Sequence, residues 1–140
     1  AVERLYETPA NRFVAGFVGD STLLTGTLGA VNGGSAEFVL PTGERPAGIN
    51  VNGTAPGKGV VASVRPERIE AHFTPPEQAA NVLRATVGDV IYFGDHLRLR
   101  CHVAGQALAT AKLPLAAGEQ PMAGQPVWLH VPVPYLRLYA

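Results

Sequence analysis

The chain has 140 residues, 46% of them hydrophobic, enough for one good core or for two small β units sharing one. Eleven Lys and Arg balance eleven Asp and Glu, so formal charge is zero, which argues against a nucleic-acid binder working through bulk electrostatics. A single cysteine, Cys101, excludes an internal disulfide and is compatible with a reducing compartment. No apolar run approaches the ~20 residues needed to span a bilayer, and no basic segment followed by an apolar one stands at the start.

Taken in order, the first element is a helix over Tyr6–Gly19. Thr8 can cap it and Pro9 sits at the first helical position, where no N–H is needed. Ala10, Phe13, Val14, Phe17 and Val18 form one apolar stripe, and Gly19 is placed to end the helix. At roughly three turns it is marginal alone, so Phe13, Val14, Phe17 and Val18 are candidate interface residues that something must cover. Everything after it reads as strand and turn, with sixteen Gly and twelve Pro to make the connections. Leu23–Leu28 is a strand, Val31–Gly34 a hairpin turn and Ala36–Leu40 the returning strand. Ile49–Val51 is expected as a short edge strand. Val60–Val64, β-branched and apolar, is a buried strand stopped by Arg65–Pro66–Glu67, because proline cannot donate to a ladder. Ile69–Phe73 continues as a short strand.

Residues 74–80 mark the seam between two β units, about 23–73 and 81–140. Ala85–Phe93 is a long strand with Gly88 as a bulge or bend. After Gly94–Asp95 comes the cleanest alternation in the chain. Leu97, Leu99, Cys101 and Val103 point one way, and His96, Arg98, Arg100 and His102 the other. Ala107–Leu113, Val127–Val131 and Leu136–Tyr139 are the remaining strands. Roughly nine or ten short strands with regular turns predict an all-β fold of barrel units.

Little in the sequence carries catalytic chemistry. Gly53–Gly59 looks superficially like a phosphate loop. It has one residue too few before Gly-Lys, and Gly59 stands where a hydroxyl should reach Mg²⁺, so a plain turn is expected. The four histidines lack zinc spacing: Cys101 and His102 lie on opposite faces, while His96 and His102 are about 20 Å apart along one. Asp89 and Asp95 each follow glycine and are expected to settle turns. The face His96–Arg98–Arg100–His102 reads either as a solvated sheet face or as a docking surface for an acidic partner or anion. Arg65, Pro66 and Glu67 form a structural corner, with both charged side chains expected to tie the strand end to backbone or to each other.

Several of these motifs together carry a resemblance. Y-E-x-P-A-N-R-F-V-A-G-F-V-G resembles the junction at which the nucleotide-binding domain of ABC importer ATPase subunits gives way to a C-terminal β domain. Leu23–Gly26, the variable stretch 31–60, Arg65–Pro66–Glu67 and the run Thr86–Asp95 follow in the family's order. The domain is similar to the transport-associated OB-like (TOBE) kind, and Y-F-G-D-H before a basic strand most resembles the spermidine/putrescine group. One departure is Ser21–Thr22, where many relatives carry Asn.

The resemblance implies an all-β fold of OB-like barrel units preceded by one short α-helix. Residues 1–22 would be a helical linker from an upstream domain and 23–140 the β domain. It implies no enzyme activity and no cofactor in this chain, with ATP and Mg²⁺ bound upstream. Implied partners are that nucleotide-binding domain, a second copy of the subunit and a membrane permease, on the cytoplasmic side; no nucleic acid is expected. An opening Ala-Val-Glu fits a segment of a longer protein. The alternative is a stand-alone OB-like module for a small oxyanion or single-stranded nucleic acid.

Overall fold

The computed structural model describes residues 22–77, 80–103, 106–114 and 120–140. The expected helix with its stripe Phe13, Val14, Phe17 and Val18 lies outside the described residues, as does most of the expected linker 1–22.

Among the described residues ten strands form: β1 (Thr22–Asn32), β2 (Ser35–Val39), β3 (Ala47–Asn50), β4 (Gly59–Val64), β5 (Glu70–His72), β6 (Val82–Phe93), β7 (His96–Val103), β8 (Gln106–Pro114), β9 (Pro126–His130) and β10 (Arg137–Tyr139). They build a closed barrel in the order β1-β2-β3-β10-β4 and a five-stranded sheet in the order β5-β9-β6-β7-β8. The all-β, barrel-type expectation holds.

Local chemistry explains most of the elements. Gly33 adopts φ +63° in the tight turn joining β1 to β2, whose last pair is Asn32↔Ser35. Every residue of β4 after Gly59 is buried, and β4 pairs with β1 on one side and β10 on the other. Pro66 then opens a 3-10 turn over Pro66–Arg68, closed by the Arg68 N–H donating to the Arg65 carbonyl at 2.9 Å.

Two expectations are corrected by pairing. The strand expected at an edge, Ile49–Val51, is instead β3 and has neighbours on both sides, antiparallel β2 and parallel β10. The seam at 74–80 divides the chain but not the sheets. β5 precedes it and pairs with β9, while β10, at the far end, closes the first barrel. A short terminal strand finds its place through long-range pairing that its own periodicity does not encode.

This exchange leaves one continuous core, from Leu24, Leu28 and Phe38 in the barrel to Leu83, Leu99 and Leu129 in the sheet. Among the described residues, polar ties at Thr22, Glu44 and Asn81 cross between the two. The Thr22 hydroxyl donates to the Thr110 carbonyl and accepts from the Thr110 N–H, each at 2.9 Å. Glu44 Oε2 accepts the Arg84 N–H at 2.8 Å. The Asn81 side chain accepts the Ala47 N–H at 2.9 Å and donates to the carbonyls of Ala47 and Val131 at 2.7 and 2.9 Å. Thr22 is thus a buried cross-link.

Candidate functional site

The alternation of β7 survives folding intact. Leu97, Leu99, Cys101 and Val103 are at most 1% exposed, and the opposite residues face outward or lie part-covered. What composes the rest of that outer face is decided by Gly88. The β6–β7 register shifts between Val87 and Asp89, so β6 changes parity there. Before the bulge Thr86 stands opposite His102; after it Asp89 stands opposite Arg100, Ile91 opposite Arg98 and Phe93 opposite His96. A side chain at Gly88 would stand 3.0 Å from the Arg100 carbonyl oxygen and 3.1 Å from His102 Nε2, so glycine is what fits the kink.

The sequence expectation that Asp89 settles a turn is therefore corrected: it lies within β6 and pairs with Arg100 at 3.4 Å. Both partners are about half exposed, so the pair contributes at most about 1 kcal/mol. Asp95 does sit in the β6–β7 turn and accepts from His96 Nδ1 at 2.7 Å. That hydrogen bond holds the Asp95 carboxyl below the usual carboxylate range. His96 also stacks on Phe93, with centroids 5.0 Å apart and rings 9° from parallel, and the Arg98 guanidinium lies 5.1 Å from the same ring centroid. Lys112, on β8, stands opposite Arg98.

The structure thus brings His96, Arg98, Arg100 and His102 onto one face, but not as a bare cationic strip. Asp89 partly neutralises Arg100, Asp95 engages His96, and Phe93 is already stacked with His96 and approached by the Arg98 guanidinium. Beyond Asp95 and His96, a concavity of about 500 Å³ runs to Glu67, Glu70 and Lys112, again with both signs of charge.

Elsewhere the chemistry is quiet. Burial pushes the Cys101 thiol up to about 12, so it is a packed apolar group and not a nucleophile at neutral pH. Among the described residues, no group of three or more His, Cys, Asp and Glu side chains converges as a metal site would require. No described helix is long and apolar enough to cross a membrane. Within the Gly53–Gly59 loop a plain turn at Pro56–Gly57 is held by the Gly57 N–H, which donates to the Leu28 carbonyl at 2.8 Å.

At the corner motif Pro66 is buried, but Arg65 and Glu67 are exposed and make no side-chain hydrogen bond or ion pair among the described residues. The expected tie is replaced by backbone bonds of the 3-10 turn. Arg65 instead lines a second concavity together with Arg68 and, from the other end of the chain, Arg137. Sequence reasoning missed that grouping. Arg137 alternates with buried Leu138 on β10, and only the β10–β4 pairing brings it to Ser63.

A family model described as "TOBE domain" matches residues 62–138, from β4 to β10. Among curated proteins, the chain is 42% identical over 92 residues to the spermidine/putrescine import ATP-binding protein PotA of Rubrobacter xylanophilus, covering 64% of this chain and 23% of that protein. It is 33% identical over 132 residues to PotA 1 of Pseudomonas aeruginosa, covering 92% of this chain and 34% of that one. It therefore spans about a quarter to a third of the length of these relatives. In three dimensions it resembles the cytoplasmic molybdate-binding protein ModG in a form with molybdate bound, at a TM-score of 0.74 and 18% identity, over 84% of this chain and 94% of that one. At that identity the likeness is one of fold. From the matched stretch and the barrel topology together, the chain belongs to the TOBE domain family.

Proposed function

We propose that this chain is the non-catalytic C-terminal module of an ATP-binding subunit of an ABC-type importer, in the polyamine (spermidine/putrescine) group. One observation carries the reading: alignment to PotA 1 takes in 92% of this chain but only 34% of the relative, the pattern of a module belonging to a larger subunit. In this reading ATP and Mg²⁺ are bound by an upstream nucleotide-binding domain, and this chain holds no cofactor of its own. A second copy and the membrane permease are its partners in the assembled transporter, on the cytoplasmic side of the inner membrane. Two such modules would pair and keep the ATPase dimer together while the catalytic domains open and close. The candidate interface is the Phe13–Val14–Phe17–Val18 stripe. The face His96, Arg98, Arg100 and His102 would dock an acidic surface, and Arg65–Pro66–Glu67 would serve as the corner between barrel and sheet.

The purified chain is expected to hydrolyse no ATP above the buffer rate. Turnover that follows the protein through successive purification steps would contradict the reading. A second reading, a free-standing OB-like module for a small oxyanion, draws on the fold likeness to ModG. At 18% identity that likeness carries the fold alone.

A further inference from the structure

The concavity beside the corner motif is lined by Ser63, Arg65, Arg68, Pro134, Tyr135, Arg137 and Tyr139 and has a volume of about 510 Å³. Three arginines line it, and none of the lining side chains is a carboxylate. Among the described residues none of the three arginines has an ion-pair partner. Arg68 lies 4.3 Å over the Tyr135 ring and Arg137 donates from Nε to the Tyr139 hydroxyl at 3.1 Å. Both contacts orient a guanidinium without neutralising it. In a chain of zero formal charge, three uncompensated arginines in one hollow are a local excess that an anion would balance.

A further polar group lines the hollow. Ser63 is only 6% exposed, and its hydroxyl makes no hydrogen bond among the described residues. It is thus free to donate to a bound group. The fold explains the convergence. Ser63 and Arg137 are directly paired on β4 and β10, Arg65 and Arg68 flank the 3-10 turn that ends β4, and Tyr135 closes the turn before β10.

We infer that this concavity binds the phosphate group of a small organic phosphate. Guanidinium forks match phosphate oxygens with paired hydrogen bonds, and the Ser63 hydroxyl supplies a further donor from the floor. The volume falls within the range of about 300–1,000 Å³ typical of small-molecule sites, far more than an inorganic ion fills. The remainder of the ligand would lie against Tyr135 and Pro134. The inference is independent of the transporter reading, since it concerns residues that reading assigns only to a structural corner or leaves unused.

Titration calorimetry of the chain at low ionic strength, with ADP, inorganic phosphate and adenosine as separate probes, tests it. ADP is expected to bind more tightly than phosphate, and adenosine not measurably. Arg68→Gln combined with Arg137→Gln should lower ADP affinity by at least about tenfold, the loss of charge-assisted bonds, with an unchanged melting temperature. Lys58→Gln, on an exposed loop, should leave it unchanged. Ser63→Ala, which keeps the packing volume, should lower it several-fold. Absence of binding by both phosphate probes would overturn the inference, as would an undiminished affinity in the double arginine variant or equal binding of adenosine and ADP. Phosphate binding as tightly as ADP would overturn the organic portion and leave a site for the free ion.

Discussion

Phe38→Ala is expected to destabilise the fold by about 3–5 kcal/mol, a large share of the ~5–15 kcal/mol that holds a domain together. Phe38 is 0% exposed and is among the largest fully buried side chains in the core. It lies opposite Leu28 on β1, and the barrel is shaped around it. A Cβ at Gly26 would stand 2.6 Å from the Phe38 ring and 2.7 Å from the Val39 carbonyl oxygen. Glycine there makes room for the ring, so a barrel closed by β1–β4 pairing cannot shrink onto the vacancy without losing ladder bonds. Phe38→Leu, which conserves most of the volume, should cost less than about 1.5 kcal/mol. Urea unfolding followed by circular dichroism measures both; a Phe38→Ala cost below about 1.5 kcal/mol would mean that the barrel core is not where the stability resides.

Asn81→Ala is the second large effect, expected at about 2–4 kcal/mol. Asn81 is the one non-glycine residue with positive φ among those described, at +55°. Its amide makes three hydrogen bonds, tying β3 of the barrel to the segment that follows β9 of the sheet, and its own carbonyl accepts the Val131 N–H at 3.0 Å. Removing the amide strands an N–H and two carbonyls, each at a cost of about 1–3 kcal/mol if buried and less where water can reach. Asn tolerates the left-handed conformation better than Ala does, which adds about 1 kcal/mol. Asn81→Gly keeps the conformation but not the bonds, so it should fall about 1 kcal/mol short of the Ala effect. Equal costs in the two variants would rule out the conformational share.

Asn81 also shows where reading the sequence ran out. The positions that alternate could be assigned to faces: β7 came out as expected because each inward residue is apolar and each outward one polar. Gly88 announced its bulge for the same reason, since a glycine inside an otherwise regular strand needs a cause. A period of two, however, says which face a residue points to and nothing about which strand lies beside it. The exchange of β5 and β10 between the two sheets was therefore invisible. The three-arginine concavity was hidden for the same reason, as it depends on that exchange. The basic face on β7 was legible as a row of residues but not as a charge distribution. Its partial neutralisation comes from Asp89 on the neighbouring strand, facing outward only because the bulge changes the parity of β6. Nor did Asn81 stand out, because an asparagine beside a loop is ordinary until its three partners, 34 and 50 residues away, are in place.

Family membership follows from residues 62–138 and the barrel, but the role of the chain in a larger subunit depends on what is encoded beside it. The most direct measurement is to sequence the reading frame upstream of Ala1. It is expected to continue into a nucleotide-binding domain with a glycine-rich phosphate loop ending in Lys and Ser or Thr, followed by a carboxylate at the end of a buried strand. A start codon directly before Ala1 would contradict the transporter reading and leave a free-standing OB-like module in its place.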